Sequence, residues 1–94
     1  MSAFSNINYS RIPEHCREGV KRYIENGIPF GGFLQAVFSN NLMRTFEEAD
    51  GINIERIKDY ASFLYNEAPI QSWGSKEKME AWIESGGLEE NNNG

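Results

Sequence analysis

The apolar side chains of this chain recur at steps of three and four, in short stretches that glycine and proline repeatedly close, and no run of β-branched residues alternates over four or more positions. Steps of three and four put side chains on one face of an α-helix, whereas a half-buried strand needs steps of two. No Asn-Gly hairpin sits between strand-like runs either. The chain therefore reads as all-α, a compact single domain of four to five short helices over residues 11–88, with an N-terminal arm at 1–10 and a flexible polar tail at 89–94. Ninety-four residues leave room for one core.

Helix 1 is expected from about Pro13 to Asn26. Pro13 has its φ preset for a first turn and needs no N–H there, and Glu14 complements the positive end of the helix dipole. Ile12, Cys16, Val20, Tyr23 and Ile24 form its inward stripe, opposite a mixed-charge face of Glu14, Arg17, Glu18, Lys21, Arg22 and Glu25. Gly27 and Pro29 stop it. Phe33 to Phe38 is apolar on nearly every side, as suits a buried central helix, and Ser39-Asn40-Asn41 interrupts it.

A third helix from Leu42 to Asp50 is expected to turn Leu42, Met43, Phe46 and Ala49 inward. Asn53 then reads as the cap of a fourth, with Ile54, Ile57, Ala61, Leu64 and Tyr65 as its apolar stripe and Ala68-Pro69 as its end. Ser75 caps the last helix, whose apolar face is Met79, Trp82 and Ile83, and Gly86-Gly87 closes it.

Apolar residues at 39% and aromatics at 13%, spread along the chain, are the profile of a folded domain. Neither a signal-like start nor a spanning run is present, so the expected setting is a cytoplasm with no membrane contact. With one cysteine, no internal disulfide or zinc site can be built, and no metal or other cofactor is expected. The net charge is −5, with four basic and three acidic groups in residues 1–30 against five and eleven in residues 31–94. Such a balance offers little for counterion release and argues against nucleic acid. It suits a basic protein partner.

Residues that could carry catalysis are scarce. His15 and Cys16, being adjacent, point about 100° apart on a helix and cannot form a base and nucleophile pair. The carboxylate pairs Glu47/Glu48, Glu55/Asp59 and Glu80/Glu84 sit on solvated helix faces. A non-enzymatic protein is expected. Two places invite binding. Gly31 and Gly32 open a buried helix whose free N–H groups could hold an anion, or simply make a tight turn in which Phe30 and Phe33 pack. Tyr65, Asn66 and Glu67 with Trp73 and Ser75 load one interhelical loop with aromatic and polar groups, as in a recognition surface or as plugs and caps.

The phrases Ile12-Pro13-Glu14-His15, Arg22-Tyr23-Ile24-Glu25-Asn26-Gly27-Ile28-Pro29, Gly32-Phe33-Leu34-Gln35-Ala36-Val37, Leu64-Tyr65-Asn66-Glu67-Ala68-Pro69 and Trp73-Gly74-Ser75 span most of the chain. Together they resemble a family of small proteins encoded in bacteriophage and prophage genomes. Phe30 stands where that family's pattern has a second proline, and Asn41 where an aspartate is common. The resemblance implies a phage setting, in the cytoplasm of a host bacterium, and no activity.

Two functions fit that setting. One is an accessory protein that binds and antagonises a host protein, in particular an antiviral defence factor, through the surface around Trp73 and the last two helices. The other is a homo-oligomeric sponge for a nucleotide-type signal, with Gly31, Gly32 and Arg22 or Arg44 meeting phosphates and Tyr65 or Trp73 stacking on a base.

Overall fold

A computed structural model of the chain describes residues 7–91, and within them the regular elements are helices only. Residues 1–6 of the expected arm and 92–94 of the expected tail lie outside the described residues. The order is α1 (Glu14–Asn26), α2 (Gly32–Phe38), α3 (Leu42–Glu48), α4 (Gly51–Glu55), α5 (Ile57–Asn66), a 3-10 turn (Ile70–Ser72), α6 (Lys76–Ser85) and α7 (Gly87–Asn91). The all-α class holds, but there are seven helices rather than four or five. Two short ones are additional: α4, split from α5 at Arg56, and α7 beyond the Gly86 turn.

The first helix forms as its stripe requires. Ile12, Val20, Tyr23 and Ile24 are fully buried, and Cys16 is half-buried beside them. Gly27 ends α1 in the left-handed region at φ 68°. Its N–H donates to Tyr23 O at 2.9 Å and that of Ile28 donates to Arg22 O at 3.4 Å, a Schellman-type closure. Tyr23 is the hub of the core: its ring stacks on Phe30 at 4.3 Å, meets Phe38 edge-on at 5.0 Å, and its hydroxyl donates to Ser72 O at 2.6 Å. Burial pushes that phenol well above its ordinary range, and the hydroxyl stays a donor.

Past α2, Asn40 takes the left-handed conformation at φ 62°, and Asn41 accepts the N–H of Arg44 to cap α3. The fourth expected helix is capped three residues earlier than its sequence suggests. Asp50, not Asn53, accepts the capping N–H, from Asn53 at 2.7 Å. Asn53 is itself buried, its Oδ1 taking the Tyr60 hydroxyl at 2.7 Å, with Cys16 Sγ within 3.7 Å of its Nδ2. Starting early and breaking at Arg56 rotates the helix, so that Tyr60, Phe63 and Leu64 face the core. Of the expected stripe only Leu64 is buried, while Ile54, Ala61 and Tyr65 are exposed and Ile57 is intermediate.

Trp82 on α6 joins the chain's two halves, donating its indole N–H to Tyr23 O and Ile24 O. Gly86, at φ 84°, then turns the chain into α7, which packs on α1, so residues 89–91 of the expected tail are helical. What drives this is the burial of Leu88, 5% exposed. Residues 7–10 of the expected arm are also tied down. Tyr9 donates to Glu25 Oε2 and packs on Phe63, and Asn8 N–H donates to Glu67 Oε1.

Candidate functional site

Where α3 was expected to turn its apolar residues inward, it turns them out. Leu42 is 64% exposed, Met43 73% and Phe46 49%, while Thr45 is the residue that goes in. On a seven-residue helix, Leu42, Met43 and Phe46 fall within about 100° of arc, so they form one face. The reason is α2, against which α3 packs: the side of α3 that meets it carries Thr45, with Glu48 reaching the start of α2. The Thr45 hydroxyl donates to Asn41 O at 2.7 Å, so it goes in with its donor satisfied. In α4, Ile52 and Ile54 continue the exposure at 58% and 41%.

Beside this face runs a groove of about 400 Å³ between α3 and α5. Leu42 and Thr45 form one wall, and Ile57, Tyr60, Ala61 and Leu64 the other. Val37 from α2 lies at the floor, and Asn40 and Asn41 line one end. The groove is apolar in chemistry as well as in composition. The Tyr60 hydroxyl is spent on Asn53, and the Asn41 carboxamide oxygen on the α3 cap.

The residues singled out from sequence are not brought together. Tyr65 is 82% exposed, and neither it nor Trp73 enters a ring pair among the described residues. Asn66 turns back to Ser62 O and Oγ within α5, and Glu67 holds the Asn8 N–H. Ser75 does cap α6, accepting the Lys78 N–H at 3.1 Å. Trp73 packs partly buried against the core, with its indole N–H buried and without an acceptor.

At the start of α2, a Cβ on Gly32 would stand 3.0 Å from Glu48 Oε1 and 3.5 Å from Arg44 Nη2. The chain's own carboxylate therefore lies where an anion was expected. Gly31 has open space at its Cβ position. Arg44 pairs with Glu48 at 3.8 Å, and Arg22 with Glu18 at 3.6 Å on the exposed face of α1.

His15 Nε2 faces Asp50 Oδ2 at 3.3 Å on the surface, whereas the nearest polar group given for Cys16 Sγ is the Asn53 amide. The Asp50 carboxyl is held below its ordinary value, first by the Asn53 backbone N–H and then by His15. Among the described residues no group of three or more His, Cys, Asp or Glu side chains comes together, and no helix is long and apolar enough to cross a membrane. In comparisons with known proteins, no family model, no curated protein and no solved structure matches the chain.

Sequence reasoning missed the α3 face because periodicity says which residues share a face and not what that face meets. A signal was present, however faint. A seven-residue helix between two caps buries little, so three large apolar residues on one side of it need not all be core.

Proposed function

We propose that this chain is a non-enzymatic phage accessory protein that binds and antagonises a host protein in the bacterial cytoplasm, an antiviral defence factor in particular, and that it docks through α3 and α4. The observation that carries the reading is the exposure of Leu42, Met43, Phe46, Ile52 and Ile54 within one 13-residue segment. The radius of gyration, 12.4 Å, is that of a close-packed chain of this length. The exposure is thus not a symptom of loose packing, and clustered apolar side chains on a compact protein mark interaction surfaces. The phage setting is supported by the resemblance of the sequence phrases alone.

Sequestration of a nucleotide-type signal is less well supported, because a phosphate at the start of α2 would first have to displace Glu48 from Gly32 and Arg44. The test is affinity capture from host lysate with tagged wild type and with the Met43→Asp/Phe46→Asp double variant. One host protein is expected in near-stoichiometric amount with the wild type and not with the variant. Capture of no host protein under several salt conditions, or equal capture by both forms, rejects the reading, and a nucleotide released on heating and identified by mass spectrometry would replace it.

A further inference from the structure

We propose that the groove between α3 and α5 receives a basic amphipathic helix of the partner protein. This deepens the function proposed above and rests on it. Along α5, Ile57, Ala61 and Leu64 follow one another at steps of four and three and line the groove wall, a stripe about 10 Å long. Two turns of a guest helix with apolar residues at i, i+3 or i+4, and i+7 match that length. Ala61, small and exposed, sits mid-stripe and lets a backbone come close. Leu42 forms the opposite wall, and Phe46, one helical turn on, extends it outward as a lip.

Charge chooses among helical guests. Between Leu42 and Glu55 the chain has one basic residue, Arg44, against four carboxylates, Glu47, Glu48, Asp50 and Glu55. Arg44 is engaged by Glu48, and Asp50 by His15 and the α4 cap, which leaves Glu47 and Glu55 exposed beside the apolar face. Arg56 is held by Asp59 and Arg11 O, so Lys58 is the main opposing charge on this side. An acidic lip around an apolar groove attracts Lys- and Arg-flanked apolar residues. It disfavours a second copy of this chain, which would set the same carboxylates against one another across a twofold axis.

The probe is a fluorescein-labelled 18-residue amphipathic peptide of Leu and Lys, compared with a Leu and Glu peptide carrying the same apolar face. Anisotropy titrations are run on wild type, Phe46→Asp and Ala61→Trp, the last of which fills the groove from an exposed position. The Lys peptide is expected to bind with a Kd of about 10 µM or below and at least about tenfold more tightly than the Glu peptide, with each substitution weakening it about tenfold while the melting temperature stays within a few degrees. Equal binding of the two peptides, or Lys-peptide binding indifferent to Ala61→Trp, overturns the proposal. So does a dimer in sedimentation equilibrium that Phe46→Asp dissociates, since a second copy would then own the groove. If host protein is still captured through α3 while the Lys peptide fails, the helix chemistry is wrong and the host-binding function stands.

Discussion

Trp82 donates its indole N–H to two carbonyl oxygens at the end of α1, at 3.0 and 3.2 Å, whereas the same group of Trp73 is buried with no acceptor. A buried donor left unpaired costs about 1–3 kcal/mol. Trp73→Phe removes that cost while keeping an aromatic ring against the core, so its stability is expected within about 1 kcal/mol of wild type. Trp82→Phe strands two carbonyls and opens a void, and should lose about 2–4 kcal/mol. Chemical denaturation of the two variants side by side checks the contrast, and an equal loss would mean the two indoles occupy equivalent surroundings. Asp50 acts at the same scale. Its folded-state pKa lies below the ordinary 3.8, so its contribution is fully present above that value and is lost as pH falls through the lower folded value. Asp50→Asn keeps the α4 cap without a titrating group. The melting temperature of that variant should fall less steeply than wild type below about pH 4.

At the scale of the element, α3 separates what a sequence can say from what it cannot. Its start at Asn41, the inward stripe and glycine stop of α1, and the Ser75 cap of α6 were all readable, because caps and turns are local chemistry. The facing of α3 and the phase of α5 were not. Each depends on a buried polar partner: Thr45 returns its hydroxyl to Asn41, and Asn53 meets Tyr60 and Cys16 across 7 and 37 residues of sequence. No periodicity encodes such a pairing. The candidate binding residues fared similarly, since Ser75 and Glu67 proved to be held by structural bonds and the exposed apolar cluster lay where core was expected. The inversion can be tested directly. Met43→Asp and Phe46→Asp should each change stability by less than about 0.5 kcal/mol, as surface substitutions do, while Thr45→Asp should cost about 3 kcal/mol or more by burying a carboxylate. Thermal melts in which Met43→Asp unfolds the domain and Thr45→Asp does not would restore the inward reading of α3.

At the scale of the whole molecule, what closes the fold is a contact between two glycine turns far apart in sequence. Gly27 ends α1 and Gly86-Gly87 leads into α7, and the two backbones meet so closely that a Cβ on Gly87 would lie 2.6 Å from Gly27 N and 2.7 Å from Asn26 N. Backbone atoms cannot swing aside as a side-chain tip can. Gly87 also has φ +75°, which disfavours any side chain by about 1–2 kcal/mol before the clash is counted. Gly87→Ala is therefore expected to lift α7 off α1 and release Leu88, whose burial alone is worth about 2–4 kcal/mol as judged by Leu→Ala changes in cores. For a domain of this size that loss lowers the melting temperature by roughly 10–25 °C. Gly51 is the control. Its Cβ position is open and it stands at the first position of α4, so Gly51→Ala should be neutral or stabilise by up to about 1 kcal/mol. Leu88→Ala and a chain ending at Gly86 should both fall to the level of Gly87→Ala, because all three remove the same contact. Melting curves that leave the shortened chain as stable as wild type would show that α7 takes no part in closing the fold.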